Sequence, residues 1–133
     1  MKLTNDEAVK KWMRGLPLMK KELEMKIAFY MDLAREVRKL GEAGEKRLTA
    51  YMAQIEQLQD RIKGLARDME RLLDQLDPDE RMILTARYVR RLLWDAMEFH
   101  VYFSRRQAIR IHNRAVKKLV GAQVGGGEDA PGA

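Results

Sequence analysis

Apolar residues recur at helical spacing along most of the chain, and the breaks between runs divide it into elements. In residues 4–16, Val9, Trp12, Met13 and Leu16 share one face. Thr4 or Asn5 stands where a helix cap is wanted, with Glu7 near the third position of a capping box, and Gly15 and Pro17 predict the end of this helix. A second helix is predicted over residues 18–40. Its stripe of Met19, Leu23, Ile27, Tyr30, Leu33, Ala34, Val37 and Leu40 is wide enough for burial on more than one side. Gly41-Glu42-Ala43-Gly44 then interrupts the pattern and predicts a helix C-cap and a tight connection. Residues 45–76 carry the most regular signal. Leu48, Tyr51, Ile55, Leu58, Ile62, Leu65, Met69, Leu72 and Leu76 alternate spacings of three and four, about four heptads of a coiled-coil seam. Met52, Ala66 and Leu73 widen that seam beyond what two helices need. This helix is therefore expected to pack antiparallel on helix 18–40 and to form a homodimer through Leu48, Tyr51, Ile55, Leu58, Ile62, Leu65, Met69 and Leu72. A purely intramolecular hairpin is the alternative.

Asp77-Pro78-Asp79-Glu80 marks a boundary. The proline pushes Asp77 out of helical geometry, and the same four residues start the next helix with Pro78 in its first turn and Glu80 in a capping-box place. Three short helices fit into residues 77–120. The first, about 79–91, turns Ile83, Leu84 and Tyr88 inward. The second, about 93–99, turns Trp94 and Met97 inward. The third is capped by Ser104 and Gln107 and buries Ala108, Ile111, Ala115 and Leu119. From Gly121 onward, glycine and small residues predict a flexible tail, 121–133. The fold class is all-α: an N-terminal helical hairpin or coiled-coil arm over 1–76, a three-helix unit over 77–120, and the tail.

Composition removes several possibilities. There is no cysteine, so disulfides, thiolate metal sites and a cysteine nucleophile are out. No apolar run approaches the roughly 18 residues that a membrane span needs. Met1–Glu7 lacks the apolar core of a signal peptide, and a cytoplasmic protein is expected. His100 and His112 have no companions at metal-ligand spacing and read as a turn residue and a helix-surface residue. Asp77, Asp79 and Glu80 resemble a carboxylate cluster, but capping accounts for them. With no nucleophile–base pair and no Gly-rich phosphate loop, neither an enzyme nor a cofactor is expected.

The formal charge of +6 is modest, and its placement matters more than its size. Arg105, Arg106, Arg110, Arg114, Lys117 and Lys118 decorate the helix from Ser104 to Lys118, and no acid occurs between Phe99 and Gly121. A solvated helix usually mixes signs, because one-sign decoration repels itself unless an anionic partner relieves it. Double-stranded DNA is such a partner: the cations release condensed counterions while the first helical turn enters the major groove. Ser104, Arg105, Arg106 and Gln107 lie in that turn, where arginine reads guanine and glutamine reads adenine. Arg87, Arg90 and Arg91 either favour the C-terminal dipole of their own helix or hold the DNA backbone, with His112 a further phosphate contact. A membrane-surface helix would show bulky apolar residues beside its basic stripe, and here that face is taken up by the core.

Leu84-x-x-Arg87-Tyr88-Val89, Trp94-Asp95-x-Met97, Tyr102-Phe103-Ser104-Arg105-Arg106-Gln107-Ala108-x-Arg110-Ile111-His112 and Arg114-Ala115-Val116 together resemble the sigma-70 region 4-like helix-turn-helix of phage and prophage regulators of the ArpU/RinA type. The resemblance covers 77–120 and implies a recognition helix starting at Ser104, a role on phage or prophage late genes, and RNA polymerase as a further partner. It also implies two departures. Glu98 stands where a small residue is common, and Tyr102 stands where glycine is usual in the turn, a position that would strain tyrosine at positive φ. The competing expectations are a small terminase-like DNA-packaging protein and a polymerase-binding adaptor without specific DNA recognition.

Overall fold

The computed structural model describes residues 1–125, the side chain of Arg38 excepted. Among them the chain is mostly helical. α1 spans Asp6–Leu73. α2 spans Pro78–Leu84 and runs on into a π-helical turn at Thr85–Val89. α3 spans Trp94–Met97 and α4 Arg105–Leu119. One antiparallel bridge, Lys2 with Gln123, is the sole β-type pairing among the described residues. The chain forms two compact units: Leu18–Gly64, and Met1–Pro17 with the residues from Leu65 onward.

In Leu18–Gly64 a single residue breaks α1. Gly41 has φ 63° and ψ −141°, a region essentially closed to residues with a Cβ, and the helix resumes at once. The predicted four-residue interruption is thus one residue wide. Beyond it the chain folds back, so that Tyr51 meets Phe29 edge-on at 5.1 Å and the Lys26 ammonium lies 5.4 Å from the Tyr51 ring. Gly44 is buried, and a Cβ there would fall 2.6 Å from that of Leu40. Ile55 and Leu58 are buried within this one chain, with Leu48, Tyr51 and Ile62 half-buried beside them. Ile27 and Leu40, expected inside, are exposed.

In the other unit, the helix expected to stop at Gly15–Pro17 continues. Asn5 caps it by accepting from the Ala8 amide at 2.8 Å, while Glu7 pairs with Lys10 instead of closing a capping box. A proline inside a helix costs about 3 kcal/mol through its missing N–H and its ring. Val9, Trp12, Met13 and Leu16 are all buried, and burial of each such side chain is worth about 1.5–3 kcal/mol, so tertiary packing overrides the local stop signal. α1 ends at Leu73, short of residue 76, although Met69, Leu72 and Leu76 are buried and Leu65 is half-buried.

Ile83, Ala86, Met97, Ala108 and Ile111 form the core that joins α2, α3 and α4, with Leu92, Trp94, Val101 and Phe103 packed against it. The segment after α4 is not free at its start. The Leu3 amide donates to the Ala122 carbonyl at 2.9 Å, Gly121 donates to Leu3 at 2.6 Å, and Val124 donates to Met1 at 2.9 Å. Leu3 and Val124 are buried as a result. Flexibility predicted from residue 121 is therefore corrected for 121–125, and 126–133 lie outside the described residues. Both ends of α1 belong to the compact unit that holds α2–α4.

Candidate nucleic-acid interface

α4 begins as its sequence dictates. The Ser104 hydroxyl accepts from the Gln107 amide at 3.2 Å, and the Gln107 side chain accepts from the Ser104 amide at 3.0 Å. This reciprocal cap satisfies two of the backbone donors a helix start leaves open. Ala108, Ile111, Ala115 and Leu119 are buried as predicted, joined by His112 and Val116. On the opposite face, spacings of four, three and four put Arg106, Arg110, Asn113 and Lys117 in one row, and all four are exposed. Asn113 was not singled out by residue type; its place in this row is legible only from the helical spacing.

The basic residues of α4 are not equivalent. Arg114 donates through Nε to Glu80 at 2.8 Å and through a terminal nitrogen to Asp79 at 2.7 Å. Lys118 reaches Glu80 at 2.9 Å and Asp77 at 3.2 Å, and Lys117 reaches Asp6 at 3.4 Å. Glu80 is fully buried, and its Oε1 also accepts from the Asp77 amide at 2.9 Å. Burial pushes its carboxyl up, but the hydrogen bonds from Lys118, Arg114 and Asp77 outweigh it and hold Glu80 below its ordinary value. The same bonds, first to Glu80, raise Arg114 and Lys118. α4 therefore carries no acid of its own but borrows three from the start of α2. The carboxylate oxygens of Asp77, Asp79 and Glu80 lie within 4.8 Å of one another, close enough to hold a cation, and Arg114 and Lys118 are the cations that sit there.

Arg106 and Arg110 have no carboxylate at ion-pair distance among the described residues, and Arg105 has one exposed contact, to Asp95 at 3.1 Å. That contact links the starts of α3 and α4 through solvent-exposed side chains. Arg87 is structural, donating to the Leu92 carbonyl at 2.9 Å and lying 4.9 Å from the Trp94 ring. Trp94 is half-buried against the core, as predicted. Arg90 and Arg91 are exposed, and Arg91 has φ 59°, the one left-handed non-glycine residue among those described. Tyr102 is 97% exposed and does not have positive φ, so the strain anticipated there is absent.

His112 is buried, not at the helix surface where its residue type would put it, and it is not placed for phosphate. It lies 2.7 Å from the Tyr88 hydroxyl through Nε2 and 2.9 Å from Asn113 Oδ1 through Nδ1, with Trp94 edge-on at 5.1 Å. Since the Asn113 oxygen only accepts, Nδ1 carries the proton of the neutral ring and Nε2 accepts from Tyr88. Burial first, then the charges of Lys10, Arg87 and Arg14, push the imidazole below its ordinary value, against the opposing Asn113 bond. Burial pushes the Tyr88 hydroxyl up. His100 is exposed, as expected of a turn residue.

The chain matches no family model, no curated protein and no solved structure. No described helix is long and apolar enough to cross a membrane.

Proposed function

We propose that this chain is a sequence-specific DNA-binding transcription regulator, of the kind its resemblance to ArpU/RinA-type phage and prophage proteins implies, working in the bacterial host cytoplasm as a homodimer and not as an enzyme. In this reading α2, α3 and α4 are a helix-turn-helix and residues 18–64 a helical hairpin. α4 enters the major groove with Arg106, Gln107, Arg110 and Asn113 toward the bases, while Arg105, Lys117, Arg90 and Arg91 neutralise flanking phosphates. Arg114, Lys118 and Arg87 hold the reading head together. The observation that carries this reading is the exposed row Arg106–Arg110–Asn113–Lys117 on a helix whose other face is locked into a core. The chemistry its two arginines offer is that of base-edge recognition, a bidentate guanidinium on guanine. Selection from a random pool of duplex DNA at near-physiological salt tests it. An enriched motif is expected; retention that depends on salt but enriches nothing would reject sequence-specific recognition.

A second reading has one observation in its favour. Leu93, Phe99 and Tyr102 are 70%, 81% and 97% exposed around α3. Such side chains suit a protein contact, and the RNA polymerase-binding adaptor is the reading they favour.

A further inference from the structure

From Ser104 to Leu119 every side-chain acceptor is already engaged within the chain. The Ser104 hydroxyl accepts from the Gln107 amide, and the Gln107 oxygen accepts from the Ser104 amide. His112 Nε2 meets the Tyr88 hydroxyl at 2.7 Å, which leaves the Nδ1–H to donate to the Asn113 oxygen at 2.9 Å. α4 holds no aspartate or glutamate. Its exposed face therefore offers donors: the guanidinium groups of Arg106 and Arg110, the Lys117 ammonium, and the amide nitrogens of Gln107 and Asn113. The two amides are held in different ways. Gln107 closes the helix cap, whereas Asn113 is held from inside by a histidine that is buried and has its other nitrogen on Tyr88.

We infer that α4 selects duplex DNA with guanine at the bases it contacts, through Arg106 and Arg110, and that neither of its amides reads adenine. The inference rests on the DNA-reading role proposed for α4 and names the bases that role takes. An amide reads adenine by setting its oxygen and nitrogen side by side against the base, accepting from the N6 amino group and donating to N7. Both amides of α4 instead turn the oxygen back onto their own chain. In the major groove guanine alone presents two adjacent acceptors, O6 and N7, which suits the fork of an arginine. Thymine presents one acceptor. Adenine and cytosine bring an amino group, which a face made of donors meets donor against donor.

Selection from a random duplex pool by the full chain, followed by anisotropy titration of the enriched duplex carrying single base analogues, tests it. The motif is expected to hold guanine at two positions. Replacing either guanine by 7-deazaguanine, which lacks the N7 acceptor, is expected to weaken wild-type binding at least about five-fold. Inosine, which lacks only the minor-groove amino group, is expected to leave binding nearly unchanged. Arg106→Ala is expected to become insensitive to 7-deazaguanine at one position and Arg110→Ala at the other. An adenine in the motif whose preference disappears in Asn113→Ala would overturn the inference while leaving sequence-specific binding intact, as would guanines that 7-deazaguanine replaces without loss. Salt-dependent retention of the pool with no enriched motif would overturn the proposed function and this inference together.

Discussion

Arg106 and Arg110, in the first half of α4, end in solvent, whereas Arg114 and Lys118, further along the same helix, end on Asp79, Asp77 and the buried Glu80. The residue types are the same and the roles differ. A cation paired to a buried carboxylate has its charge partly neutralised and its side chain tied down, even where it stays half-exposed. A cation with no such partner keeps its charge and its reach for another molecule. A one-sign helix in the sequence therefore overstates the charge left free for an anionic partner. Part of the charge ties α4 to the start of α2, and what remains is narrower and closer to the capped N-terminus.

The comparison breaks most severely at Glu80. Glu80→Gln keeps the shape but removes the charge that anchors Arg114 and Lys118, and a fold stability lower by about 1 kcal/mol in urea is expected, because charge-assisted hydrogen bonds to the buried carboxylate are lost while solvent screens the half-exposed cations. Arg106→Ala should leave the urea midpoint where it is. A Glu80→Gln protein as stable as the wild type would mean that these ion pairs are decorative.

A smaller effect sharpens the same contrast from the buried side of α4. His112 is neutral in the fold and its imidazole is held below its ordinary value, so the unfolded chain takes up the proton more readily. Its contribution is fully present above about pH 6.5, the unperturbed histidine range, and is lost as pH falls toward the lower folded value. Protonation at Nε2 would also force Tyr88 to reverse its hydrogen bond. Glu80, by contrast, keeps its contribution until pH falls below the ordinary carboxylate range. The melting temperature is expected to decline from pH 7 to 5.5, and His112→Gln to flatten that decline. An unchanged slope in the variant would remove His112 from the account.

Much of this was legible in the sequence where the signal was local or periodic. The Ser104–Gln107 cap and the buried row Ala108, Ile111, Ala115, Leu119 needed only spacing. Spacing also places His112 and Val116 on that face, a reading overridden by the polar character of histidine. What the sequence concealed was pairing at a distance. Nothing near Arg114 announces that Asp79 and Glu80, more than thirty positions earlier, will meet it, or that Leu3 will bond with Gly121 and Ala122. Pro17 misled for the opposite reason, since a strong local signal lost to the burial of Val9, Trp12, Met13 and Leu16. The regular heptads of 45–76 correctly marked an apolar face, but periodicity does not say which helix covers it, and the chain's own buried residues took Ile55, Leu58, Met69 and Leu72.

The most direct test is affinity for a selected duplex and for random duplex, measured side by side for the wild type, Arg106→Ala and Arg114→Ala at one salt concentration. Arg106→Ala is predicted to lose about ten-fold or more on the selected duplex with little change on random DNA, the size of one bidentate base contact. Arg114→Ala is predicted to keep the ratio of the two affinities while melting earlier. Equal losses on both duplexes for Arg106→Ala, or a loss of sequence preference confined to Arg114→Ala, would contradict the division of α4 into a reading half and an anchoring half.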